Sequence, residues 1–241
     1  MPAYRLDVFE DGARTRDYRV AVGTPDHPTP LGDFRVGSVV WNPWWVPPPF
    51  EWAKDERVTP PGPNNPTGRV KIMFGQYLFM HGTPAESTLG QAASHGCVRM
   101  ANADAIELAR LLQEKGSPGI PSQEIDSLVA NPKATRAYAL ERPIPLSIEY
   151  RLAELRGERL ELHPDVYRKG GLTAEAIVSL IEESGGNPRM LDPTMLDALL
   201  ARATGEHVTV RVRDLLDSPS RRDTLPGQQR PLPSEPLSRD P

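Results

Sequence analysis

Cys97 is the only cysteine of the sequence and lies in Ser94-His95-Gly96-Cys97-Val98-Arg99-Met100, with a second histidine, His81, sixteen positions upstream (97 − 81 = 16). A lone cysteine cannot close a disulfide within its own chain. Its neighbours are small and polar, so it does not read as core filler. A thiol has a pKa of about 8.5 and becomes a useful nucleophile at neutral pH when an imidazole serves as its base or ion-pair partner. His95 and His81 are the two imidazoles available. Gly96 leaves room for a substrate against the backbone, and the N–H groups around Gly96 and Cys97 have the character of an oxyanion hole. Arg99 is a fixed cation suited to a substrate carboxylate. Two other readings stand beside the catalytic thiol: a small buried cysteine, and a zinc site with His81, His95 and Cys97 as three ligands.

These residues need a scaffold, and the pattern around them is mostly β. Tyr4, Leu6 and Val8 alternate with Arg5 and Asp7, and Tyr18, Val20 and Val22 with Arg19 and Ala21. Glu10-Asp11-Gly12 between them predicts a hairpin turn. The prolines of 23–32 exclude a strand interior there, and extended pattern resumes at Asp33–Val36 and Ser38–Trp41. Arg69–Phe74 and Tyr77–Met80 read as strands, the second ending at His81-Gly82. A helix follows the cysteine, with Asn102 as its N-cap and Gly116 and Pro118 at its end. A second helix is predicted over Gln123–Ala130 behind Ser122. Ile144, Leu146, Ile148 and Tyr150 alternate as a strand, with Leu160 and Leu162 as its hairpin partner. Helical periodicity returns from Thr173 and again at Thr194–Ala201.

Residues 41–68 carry Trp41, Trp44 and Trp45 among prolines. A loop of this length inside a domain is often functional. The tryptophans either pin the loop to the sheet or wall a substrate groove. Of the 241 residues 27 are proline, about twice the average share, which argues for fixed turns over a helical bundle. A net charge of −4 without a basic patch excludes a nucleic-acid footprint. No apolar run approaches the ~18 residues of a membrane helix. The first residues lack a signal-type apolar stretch. That leaves two readings: a cytoplasmic chain, or an export segment outside this sequence.

The run His81-Gly82-Thr83 … Ser94-His95-Gly96-Cys97-Val98-Arg99 resembles the catalytic signature of the L,D-transpeptidases, the YkuD-type domain. Thr29-Pro30-Leu31-Gly32-Asp33-Phe34 is similar to a turn of the same family, and Trp41–Pro49 and Pro60–Pro66 are similar to loops of its larger members. The resemblance covers about residues 4–168. It implies a mostly β, sandwich-like catalytic domain over 1–170 with a helix after the cysteine. Beyond it a helical appendage is expected over 171–216 and a disordered tail over 217–241.

The resemblance also implies roles. Cys97 is the nucleophile and His81 the general base, with the Gly82 carbonyl orienting the imidazole. Ser94 and His95 shape the site, the N–H groups of Gly96 and Cys97 are oxyanion donors, and Arg99 contacts substrate; the groove reading of their loop adds Trp41, Trp44 and Trp45 as substrate contacts. The substrate is a peptidoglycan tetrapeptide stem. Cys97 releases D-alanine and forms a thioester, and a second stem then gives a 3-3 cross-link. Water as acceptor makes the same site an L,D-carboxypeptidase, and a non-catalytic peptidoglycan-binding domain is the reading from another class. No cofactor or metal is implied, carbapenem-type β-lactams are expected as covalent inhibitors, and the place of action is the cell envelope.

Overall fold

The computed structural model describes residues 1–216; the tail expected over 217–241 lies outside the described residues. The chain is mostly β. In order it forms strands β1 (Arg5–Glu10), β2 (Ala13–Gly23), β3 (Gly32–Trp41), β4 (Val70–Gly75), β5 (Leu78–Thr83), β6 (Ala92–Ser94) and β7 (Val98–Ala101). Helices α1 (Asn102–Gly116) and α2 (Ser122–Ala130) follow, then β8 (Arg136–Ile148), β9 (Ala153–Arg156) and β10 (Arg159–Leu162). The last part holds α3 (Ala174–Glu183), α4 (Pro193–Ala203), β11 (Val208–Arg211) and α5 (Val212–Leu216). No helix among the described residues is long and apolar enough to cross a membrane.

The main sheet runs β1-β2-β7-β5-β4-β3-β8, with β6 added beside β2. The first hairpin forms as its alternation predicts. Asp11 and Gly12 both take positive φ, 51° and 79°, the backbone that a two-residue hairpin turn requires. The two expected segments at 33–41 are one strand, β3, whose pairing with β8 shifts register between Val36 and Ser38; that irregularity broke the alternation in the sequence.

Period-two alternation gives this sheet two unlike faces. Val39, Ile72, Met80, Val98 and Met100 point to one side and are buried with Ala105, Leu108, Ala109 and Leu112 of α1. Burying a side chain of this size contributes roughly 1.5–3 kcal/mol. The residues between them, Val40, Lys71, His81 and Arg99, are matched across β3, β4, β5 and β7. They therefore share the opposite face.

Asn102 is not an N-cap. The cap position is Ala101, without a side-chain bond. Asn102 instead accepts from the Arg69 N–H (2.9 Å) and donates to the Thr83 carbonyl (3.1 Å), tying the start of β4 to the end of β5.

Two buried asparagines hold the proline-rich segment after β3. Prolines lack N–H donors, so side-chain amides satisfy the carbonyls. Asn42 Nδ2 donates to the carbonyls of Leu128, Asn131 and Ala134, and its Oδ1 accepts from Arg69 Nε. Asn65 Nδ2 donates to Pro43, Thr59 and Pro60, and its Oδ1 accepts from Thr67.

A three-stranded sheet, β11-β10-β9, forms a second layer. The expected hairpin between 144–150 and Leu160–Leu162 is replaced by β9 with β10, turned at Gly157 (φ 58°). Leu160 and Leu162 join Ile177, Ile181, Leu199 and Leu215 in a separate apolar cluster. Arg5 of β1 bridges the layers through Glu154 (2.7 Å) and Glu161 (3.2 Å).

Candidate active site

The outward face of β3, β4, β5 and β7 is the floor of a groove of about 790 Å³, walled by the 43–67 segment. Cys97 sits just before β7. Its thiol lies 3.5 Å from the Tyr77 carbonyl, which accepts from it. His81 and Arg99 are directly paired across the parallel strands β5 and β7, and Lys71 pairs with His81 across β4 and β5. Cys97, His81, Arg99 and Lys71 all line the groove.

His81 is only 5% exposed. Its Nδ1 lies 2.7 Å from the Gly82 carbonyl. A carbonyl only accepts, so Nδ1 carries the proton and Nε2 keeps its lone pair. Burial pushes the imidazole pKa down to about 3; the Arg99 and Lys71 charges act in the same direction, and the Gly82 bond opposes them. His81 is therefore neutral at pH 7. Burial also raises the Cys97 thiol above its ordinary value, against the Phe79 N–H and the Lys71 and Arg99 charges. Both shifts favour the neutral forms, a thiol at Cys97 and an uncharged imidazole at His81.

Glycines make the close approaches here. A Cβ at Gly82 would lie 2.3 Å from Asn102 Oδ1. Gly96 has φ 104°, a backbone that only glycine adopts without strain. Ser94, 2% exposed, holds the turn: its Oγ donates to the Cys97 carbonyl (2.5 Å) and accepts from the Gly96 N–H (3.2 Å). Of the two expected oxyanion donors, the Gly96 N–H is thus already engaged.

The tryptophans divide. Trp44 and Trp45 line the groove, Trp44 being 52% exposed. Trp41 is a correction to the sequence reading: it is 1% exposed within the core, and its Nε1 donates to Gln113 Oε1 (2.9 Å). Parity explains this, since Trp41 is two residues from Val39 and shares its core-facing side. Trp52 was not singled out in the sequence. Its indole stacks on the His95 imidazole with centroids 4.0 Å apart and planes 4° from parallel. His27 meets the same ring edge-on at 4.8 Å. Phe50, Lys71, Tyr77 and Phe79 also line the groove unforeseen; Lys71 was legible as the polar position between Val70 and Ile72.

The three-ligand zinc set does not form. Among the described residues the one group of histidine, cysteine and carboxylate ligand atoms within 4.8 Å of one another is Glu154, Glu161 and His163. That cluster is occupied by the Arg5 guanidinium.

A family model described as the L,D-transpeptidase catalytic domain, YkuD, matches residues 1–121. "Probable L,D-transpeptidase YbiS" of Escherichia coli K12 is 36% identical over 90 residues, 36% of this chain and 28% of that protein. "Probable L,D-transpeptidase ErfK/SrfK" of Salmonella typhimurium is 31% identical over 115 residues, 45% and 31% of the two chains. The chain thus spans less than a third of the length of these two relatives. Among solved structures, an L,D-transpeptidase from Mycobacterium smegmatis has 18% identity and a TM-score of 0.36, over 59% of this chain and 53% of that one.

Proposed function

This chain belongs to the YkuD family of L,D-transpeptidase catalytic domains, and on that premise we propose that it is a peptidoglycan L,D-transpeptidase with Cys97 as nucleophile and His81 as general base. The observation that supports this most is the fixed tautomer of His81. The Gly82 carbonyl accepts a hydrogen bond from Nδ1–H, so Nε2 keeps its lone pair on a ring that lines the same groove as Cys97.

Cys97 Sγ attacks the carbonyl that precedes the terminal D-alanine of a tetrapeptide stem, as Nε2 removes the thiol proton. The oxyanion is held by the Cys97 N–H. The tetrahedral adduct expels D-alanine, whose nitrogen takes the proton from His81, and a thioester remains. An amine of a second stem attacks the thioester, gives its proton to His81 and forms the 3-3 cross-link. The sulfur leaves as thiolate and recovers a proton from His81. Arg99, Trp44 and Trp45 hold the stem, and His95 and Ser94 keep the turn of Cys97 in place.

Residues 1–170 form the catalytic unit in this reading. Tyr167 supports that limit: its hydroxyl donates to the Gly23 carbonyl (2.8 Å) and accepts from the Thr29 N–H (3.2 Å). The Pro28 carbonyl of that loop lies 3.6 Å from where a Gly96 Cβ would be. Residues 171–216 are accessory. The substrate places the site of action at the cell envelope. A carbapenem-type β-lactam is an activated amide, and Cys97 opens it to a stable adduct.

The test is mass spectrometry of purified muropeptides after incubation. Cross-linked dimers and D-alanine are expected from the native chain and neither from Cys97→Ala. Monomeric tripeptide alone assigns the carboxypeptidase reaction instead. Full turnover by Cys97→Ala rejects the mechanism.

A further inference from the structure

Lys71, His81 and Arg99 stand in one row across three neighbouring strands and share the groove face. A cation therefore lies on each side of the base. Arg5, Arg14 and Arg16 are each paired with carboxylates elsewhere in the chain. Among the described residues Lys71 forms no such pair. Its Nζ donates to the Trp44 carbonyl (3.2 Å) and lies 5.0 Å from the centre of the Phe79 ring. Burial lowers its pKa, and only the neighbouring Cys97 works against that. A half-buried cation without an anion carries a desolvation cost, and in a groove it fits an incoming anion.

The order of the row says which anion. The nucleophile precedes β7, the proton donor is on β5, and Lys71 is one strand further, on β4. The leaving nitrogen must reach His81 to take its proton. The leaving residue then extends past His81 toward β4. We propose that Lys71 binds the α-carboxylate of the terminal residue that is released, making the site selective for a free C-terminus one residue beyond the scissile bond. Arg99, on the other side of His81, is left for the acyl part. This rests on the transpeptidase reading of the groove.

The experiment compares a tetrapeptide stem ending in free D-alanine with the same peptide ending in D-alaninamide. The native chain is expected to prefer the acid in kcat/KM by about tenfold, the size of one charge-assisted contact. Lys71→Gln should collapse the acid-to-amide ratio toward one, mainly through KM of the acid, and Lys71→Arg should keep most of it. Iodoacetamide alkylation of Cys97 reports separately on the thiol. A ratio unchanged in Lys71→Gln, or acid and amide falling together, overturns the proposal. Binding of both peptides to Cys97→Ala, followed by tryptophan fluorescence, with and without Lys71→Gln, gives the same comparison without turnover. If the native chain turns over neither peptide but the binding ratio still depends on Lys71, the transpeptidase reading falls and the carboxylate site stands. If neither peptide binds Cys97→Ala, both fall.

Discussion

The Trp52 indole covers the His95 imidazole face to face, two residues before Cys97. The contact clamps the proline-rich segment onto the turn that presents Cys97. An aromatic pair of this kind contributes roughly 0.5–1.5 kcal/mol beyond its area. Trp52→Ala should therefore lower kcat/KM for a stem peptide about tenfold. Trp52→Phe should restore most of it, and thermal stability should change little. Steady-state kinetics on the two variants check this; equal losses in both would show that the stack is not what matters.

Cys97 and His81 make a testable statement about the resting site. The thiol is raised by burial and the imidazole is held near 3. Alkylation by iodoacetamide should rise in a single step with a midpoint above the ordinary thiol value, with no shoulder between pH 4 and 7. A plateau of reactivity in that acidic range would reveal an ion pair and contradict the neutral arrangement.

His81 also links folding to pH. Its folded pKa lies below the unfolded value of about 6.5. Between about 3 and 6.5 the unfolded chain binds the proton and the folded chain does not. The contribution of this site is present above about 6.5 and is lost as pH falls toward 3. Urea midpoints measured from pH 7 to 4 should fall less steeply in His81→Gln than in the native chain.

Gly82→Ala is expected to damage both the fold and the site. The added methyl would press on Asn102 Oδ1 at 2.3 Å, and Asn102 joins the ends of β4 and β5. Overpacking of this kind costs about 1–3 kcal/mol, which a urea melt measures. The displaced Gly82 carbonyl would release His81 Nδ1, so acylation by a carbapenem, followed by intact mass, should slow by at least tenfold.

Much of this was legible in residue order. The Cys97 run marked the candidate site and its turn because Gly96 and Ser94 have local jobs, a positive φ and a two-way hydrogen bond. The hairpin of β1 and β2 followed from alternation. Three features were hidden for distinct reasons. Trp52 lies in a short turn (Glu51–Ala53) without periodicity, so nothing in its neighbours aims it at His95. Asn102 resembled an N-cap because its type suits one, but its partners, Arg69 and Thr83, are remote in sequence. The hairpin of β9 and β10 was missed because Ala153–Arg156 is short and only half apolar. Its stability comes from an apolar cluster completed by α3 and α4, a tertiary effect that overrides local pattern.

The parallel pairing of β5 with β7 has one more consequence. His81 lies within β5 and Cys97 immediately precedes β7, so the pairing of Met80 with Val98 and His81 with Arg99 fixes where each stands on the sheet. Within residues 84–97, β6 and the Ser94–Gly96 turn have set places, while the part around Glu86–Thr88 joins β5 to them. The offset of sixteen from His81 to Cys97 is therefore a length of tether, not a ruler. That stretch can lengthen or shorten at its exposed turn around Glu86–Thr88 without disturbing the pairing of β5 with β7.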